Sequence, residues 1–203
     1  YEPGDEGYTK ACSFARDVYR EVHAFDLEHF PDLFLTLSEG SQVYGCLGLN
    51  RTLKFKLFTD DSRLRGIIEG SPAPVRFGEQ SVLALRNCSF GLPALIAVAA
   101  AYASASGIRK IVYVAVPVSV RTIASLGIST MSYGDPDLSI FEEKERSHYS
   151  VWHSLNMKCA ILDTTRAGEV CTAVLNRFAR RIELGPAISS IVIPSHKAFQ
   201  DAA

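Results

Sequence analysis

A charge imbalance is absent from this chain. Its 203 residues hold 21 Lys and Arg against 22 Asp and Glu, a formal net charge of −1. No strong global field is present to recruit nucleic acid or an anionic membrane surface. Cysteine is scarce and scattered: Cys12, Cys46, Cys88, Cys159 and Cys171 are odd in number and form no C-x-x-C pair. That pattern argues against a disulfide framework or a structural zinc site, and it fits a reducing, cytoplasmic setting. Long hydrophobic runs are lacking too. The longest, Leu92 to Ala105, contains Pro93 and Ser104 and is too short to span a bilayer. The first residue is Tyr1 rather than Met, so the chain is expected to be trimmed. Internal repeats are not visible.

What is present is average for a folded globular domain: 47% apolar, 10% aromatic and 21% charged residues. Phe14, Val18 and Val22 recur at helical spacing between Tyr8 and Ala24, continued by Phe25, which predicts an amphipathic helix. Leu33 to Leu37 and Val43 to Leu49 read as a hairpin around Ser38-Glu39-Gly40-Ser41. The stretch from Arg51 to Gly70 reads either as a strand through Leu53, Phe55 and Leu57 or, from Arg63, as helical turns. Ser81 to Leu85 predicts a short buried strand, and Pro93 to Ser106 an Ala-rich helix closed by Gly107. Lys110 to Val116 is apolar on both faces, as in a sheet centre, and Pro117 is expected to end it. A helix capped by Ser119 runs to Leu126, and Met131 to Ser147 is polar. Further elements are a strand at Met157 to Leu162, a helix at about Thr165 to Glu183, and a terminal strand at Ile188 to Ile193. The order predicts an α+β single domain with a mixed sheet, spanning residues 1–165, followed by an extension over 166–203.

The informative unit runs from strand 81–85 through loop 86–91 to helix 93–106 and strand 110–116. A strand that feeds a small-residue loop opening a helix presents unpaired N–H groups at the positive end of the helix dipole. Such a nest holds phosphate without any cationic side chain. Arg86-x-x-Ser89-x-Gly91 here resembles the Gln/Arg-x-x-Gly-x-Gly/Ala loop of the GNAT acyltransferase superfamily, with one glycine replaced by Ser. Leu126-Gly127-Ile128 is similar to the Leu-Gly-Phe that ends the superfamily's last core helix. Two branches look closer. Arg86-Asn87-Cys88-Ser89 resembles the Gly-Asn-Leu-Ala stretch of the thermostable haemolysin family, and the segment from Leu95 to Ile128 fits that family closely. Arg16-Asp17-Val18-Tyr19, then Phe25-Asp26 before Leu33-Phe34-Leu35, resembles the opening of the autoinducer (acyl-homoserine lactone) synthases.

The resemblance implies a GNAT-like mixed sheet flanked by helices, whose central parallel strands splay around residues 84–91 and 112–117. It implies acyl transfer from a CoA or acyl-carrier-protein thioester to the amine of a small molecule or amino acid, with no permanently bound cofactor. Leu85, Arg86, Asn87, Ser89, Phe90 and Gly91 would hold the phosphates. Arg51, Lys54, Lys56, Arg63 and Arg65 are candidates for docking an acidic carrier protein. The departures are specific. The usual general-acid Tyr would fall near Ile123, the haemolysin-type Glu on Ala84, and the autoinducer-type Trp near His23. Their loss also admits a repurposed, non-catalytic module that dimerises through its tail.

Each remaining candidate has two readings. Glu79 is a base for an amine if buried, or a solvated loop carboxylate. Cys88, beside a helix N-terminus, is a nucleophile or small core filler. Arg16 pairs with Asp26 or grips a substrate carboxylate, and the resemblance implies that Arg16, Asp26, Tyr19 one turn further along the helix, and Trp152 bind substrate. His148, Tyr149, Trp152 and His153 wall an acceptor pocket or supply a base near neutral pH; their spacing makes no metal site. The charges at 142–146 read as a solvated face.

Overall fold

A six-stranded sheet with helices on both faces organises the chain, in the order β1-β2-β3-β4-β6-β5. The computed structural model describes residues 1–23, 26–71, 74–86, 91–178 and 184–185, with His23 and His148 described by main chain alone. Strands β1 (Leu33–Glu39) and β2 (Gln42–Asn50) form the expected hairpin, followed by β3 (Phe77–Leu85), β4 (Lys110–Ala115), β5 (Thr130–Gly134) and β6 (Lys158–Asp163). Neighbours are antiparallel except β3 and β4, which run parallel and are joined through the Ala-rich α4 (Gly91–Ala105).

The back of the sheet carries one continuous core. Leu33, Leu35, Leu47, Leu49, Ile111, Tyr113, Ala160 and Leu162 meet α4 there, and α8 (Ala167–Arg177) packs on α4 through the same cluster. A helix apolar all round is stable only when covered all round, and α4 lies between sheet and α8. The helix expected in the tail is therefore part of the main core. Gly107 and Gly127 follow α4 and α5 (Pro117–Ser125) with φ of +78° and +81°, left-handed positions that suit a helix stop.

The front is divided. Helix α1 (Glu6–His23) lays Ala11, Ala15 and Val18 over Phe34, Cys46, Val82 and Ala84, covering β1 to β3. A separate cluster of Leu57, Phe58, Leu64, Phe77, Val112, Leu138, Phe141, Cys159 and Ile161 covers the other half. It is built from α2 (Lys56–Thr59), α3 (Ser62–Glu69), a 3-10 turn at Leu138–Ile140, and the short α6 (Glu143–Tyr149) and α7 (Val151–Ser154).

Four expectations are corrected. After Arg51 the helical turns expected from Arg63 form as α3, but the strand suggested by Leu53, Phe55 and Leu57 does not, and the short helix α2 lies there. Strand β3 begins at Phe77, four positions before the expected start at Ser81. Pro117 opens α5 at its first turn, with Val116 rather than Ser119 at the cap. The polar stretch after Ile128 contains edge strand β5, which alternation alone did not reveal. The expected strand at 188–193 lies outside the described residues.

Candidate functional site: a gap between two parallel strands

Strands β3 and β4 pair over Phe77 to Glu79 and Lys110 to Val112 only, then continue unpaired to Leu85 and Ala115. The expected splay is present, with its root at Glu79 and Val112. The ladder on the other side of β3 is irregular at the same point. In the β2–β3 register Gly48 faces Val82 but Leu49 faces Gln80, so Ser81 is an extra residue, a β-bulge that bends β3. The bulge also restores parity, since Phe77 on one side of it and Val82 and Ala84 on the other all reach front clusters.

The ladder shows which main-chain groups line the gap. Arg86 N donates to Tyr44 O at 2.9 Å, so by antiparallel alternation Ala84 and Val82 face β2, whereas Leu83 and Leu85 face away from it. On the other wall Thr164 N donates to Arg109 O at 3.0 Å, so Tyr113 and Ala115 face β6 and Val114 faces the gap. Leu83 N–H does have a partner: it donates to the Tyr19 hydroxyl, 3.5 Å away. Burial pushes the Tyr19 phenol above its ordinary pKa, with the Leu83 N–H pulling the other way.

Glu79 is buried, not solvated, at 1% exposure. Its Oε1 accepts from Asn50 Nδ2 at 2.9 Å, and its Oε2 accepts from the N–H groups of Lys54 and Phe55, both at 2.8 Å. One carboxylate thus fastens the 50–55 segment over the root of the gap. Phe55 in turn meets Phe141 at 5.6 Å, Tyr149 at 5.6 Å and Trp152 at 6.0 Å between ring centroids, and Tyr149 and Trp152 stand 4.7 Å apart. Burial raises the Tyr149 pKa, and the charges of Glu145 and Glu28 add to it. Glu28 belongs to the segment that follows α1, so this aromatic group faces the α1 side across the divided front.

Arg16 and Asp26 come together as expected, Nε to Oδ1 3.8 Å, and the Arg16 guanidinium lies 5.1 Å from the Phe30 ring centroid. Asp26 is shared with Arg20 at 2.9 Å, whose hydrogen bond holds the carboxyl below its ordinary pKa. Arg86 turns back onto α1, paired with Glu21 and set 5.7 Å from the Phe14 ring centroid. Leu85 ends β3 and Gly91, buried, opens α4. Asn87, Cys88, Ser89, Phe90 and the His148 side chain lie outside the described residues. Of the proposed carrier-docking cations, Arg51, Lys54 and Arg63 are held in ion pairs by Glu2, Asp32 and Asp61. Among the described residues no group of His, Cys, Asp or Glu can hold a metal ion, and no helix is long and apolar enough to cross a membrane.

Sequence reasoning missed Asn50, Phe55, Glu21 and the Leu83 main chain. Glu21 alone left a signal, as an acidic residue on the helix already nominated; the others depend on a bulge and a loop path.

No protein-family model and no curated protein sequence matches this chain. Solved structures do. BjaI, a CoA-dependent acyl-homoserine lactone synthase solved with SAM and isopentyl-CoA, has a TM-score of 0.57 at 16% identity, with 89% of this chain and 90% of that one covered. MesI, another CoA-dependent acyl-homoserine lactone synthase, has a TM-score of 0.55 at 15% identity, covering 89% and 92%. FeeM, an N-acyl amino acid synthase from uncultured soil microbes, has a TM-score of 0.53 at 14% identity, covering 81% and 94%. The chain therefore has the GNAT-like fold of the acyl-homoserine lactone synthases, as a single domain.

Proposed function

We propose that this protein transfers an acyl group from a thioester to the amine of a small molecule. The observation that carries the reading is the gap itself: two parallel strands that stop pairing with each other after Glu79 and Val112, in a fold shared with thioester-using enzymes. Amides of a pantetheine arm would pair with the main chain of Leu85 and Val114, and the acyl chain would lie between the strands. Loop 86–91 and the start of α4 would take the phosphates. The amine would approach from the α1 side, between Arg16, Asp26 and the Tyr149–Trp152 pair. Its lone pair attacks the thioester carbon and a C–N bond forms. The C–S bond then breaks, and the amine's surplus proton balances the departing thiolate. Leu83 N–H, aimed into the gap, would stabilise the oxygen that gains charge.

Direct transfer needs neither Cys88 nor His148. Glu79 acts in this scheme by fixing the 50–55 segment, since three donors already occupy its oxygens. The donor is CoA-bound or carrier-bound; a carrier protein would compete with Glu2, Asp32 and Asp61 for the basic side chains they hold. Ile123, fully buried where a general-acid Tyr would be expected, favours the alternative of a non-catalytic module.

One experiment separates the two. The protein is incubated with acyl-CoAs of two to twelve carbons and a panel of SAM and free amino acids, and products are read by mass spectrometry alongside release of free thiol. N-acyl products with matching thiol release are expected. Thioester binding without any product supports the non-catalytic module, and no binding ends both readings.

A further inference from the structure

We propose that the Tyr19 hydroxyl is a catalytic group, which together with Leu83 N–H forms a two-donor site for the thioester carbonyl oxygen. The inference rests on the acyl-transfer reading above and supplies a side chain that the usual equipment of the fold lacks here. Three observations carry it. First, the bulge at Ser81 and the ladder register turn Leu83 N–H out of the sheet and into the gap. Second, Tyr19 comes from α1, on the front face, and brings its hydroxyl to 3.5 Å from that nitrogen. Third, the position on α5 where a proton-bearing Tyr would be expected is Ile123, which is buried in the back core and cannot donate.

The spacing suits convergence on one atom. An oxygen about 2.9 Å from an amide nitrogen and about 2.7 Å from a hydroxyl makes two ordinary hydrogen bonds. Donors 3.5 Å apart permit both legs at once. Without ligand, the hydroxyl oxygen accepts from Leu83 N–H. With a thioester bound, its carbonyl oxygen takes that N–H, and the Tyr19 O–H turns to donate to it as well. When the amine attacks, the C–N bond forms and the C=O π pair moves onto oxygen, where both donors hold it. The pair then returns, the C–S bond breaks and the thiolate leaves. Tyr19 keeps its proton throughout, so the step needs no co-reactant. A phenol held above its ordinary pKa by burial suits this role, because it stays protonated across the working range.

The test is Tyr19→Phe, which keeps the ring and removes the hydroxyl. With octanoyl-CoA as donor and the amine that the panel identifies, kcat is expected to fall about 100-fold, the loss typical of one oxyanion donor, with little change in KM for the thioester. A second measurement separates chemistry from packing. Octanoyl-CoA labelled with carbon-13 at the carbonyl is bound to parent and variant, and the carbonyl stretch is read by difference infrared spectroscopy. Two donors shift the band to lower frequency in the parent, and part of that shift is expected to vanish in Tyr19→Phe. Unchanged kcat, or a lower kcat with an unshifted band, overturns the assignment and leaves the acyl-transfer reading standing. A parent that binds no thioester overturns the acyl-transfer reading, and the Tyr19 assignment falls with it.

Discussion

The two faces of the sheet are built to different ends. Behind it, one cluster runs unbroken from β1 to β6 beneath α4 and α8. In front, the core is cut in two, α1 holding one half and the aromatic cluster of Phe55, Phe58 and Phe141 the other. The cut falls where β3 and β4 stop pairing. A continuous back lets the molecule divide the packing of its front between two clusters without losing the sheet. Stability and site are thus assigned to opposite faces, and substitutions can show whether that division holds.

The largest effect is expected behind the sheet. Leu47→Ala empties a fully buried position in the back cluster and should cost about 2–5 kcal/mol, read as a lower urea midpoint with one cooperative transition. Separate transitions for the two halves would break the comparison. Glu79→Gln tests the seam between the front clusters. It sets an amide NH2 against donors that now share a carboxylate, so about 1–3 kcal/mol of stability should be lost. The fluorescence of Trp152, which packs on Phe55, should change with it. A loss of stability with unaltered Trp152 emission would mean that the 50–55 segment does not depend on Glu79. The smallest effect is expected at the Glu21–Arg86 pair, both side chains being substantially exposed. Glu21→Gln should tighten CoA binding by roughly two- to five-fold at low salt, leave pantetheine binding unchanged, and lose its effect as salt rises. Equal tightening of pantetheine would show that Glu21 does not act through the phosphates.

Much of this was legible from residue order. Helical spacing located α1, an Ala-rich run between Pro93 and Gly107 located α4, the two-faced run Ile-Val-Tyr-Val-Ala located β4, and the loop with its flanking elements pointed to the fold. What was illegible has a common cause. The start of β3 reads Phe-Gly-Glu-Gln, and a buried Glu looks polar until three donors from residues 50, 54 and 55 are known to surround it. Ser81 breaks the period of two, and nothing local distinguishes a bulged Ser from a strand Ser. Tyr19 was picked out by resemblance, as one of a substrate-binding group. Its hydrogen bond to Leu83, 64 positions away, depends on how α1 crosses the sheet. Strand β5 was hidden because an edge strand buries little and needs little apolar patterning.

The joint between β3 and β4 has a mechanical consequence. Three residue pairs hold the strands together at one end, and from Glu79 to Leu85 the free arm of β3 reaches about 20 Å at some 3.3 Å per residue. On an arm of that length, a 10° rotation about the joint moves the tip by about 3.5 Å, close to the thickness of a hydrocarbon chain, while the paired residues barely shift. The width of the opening is therefore a matter of leverage as much as of side-chain bulk. The volume of α4 beneath the pivot and the grip of Glu79 above it set how stiffly the two half-sheets resist being prised apart.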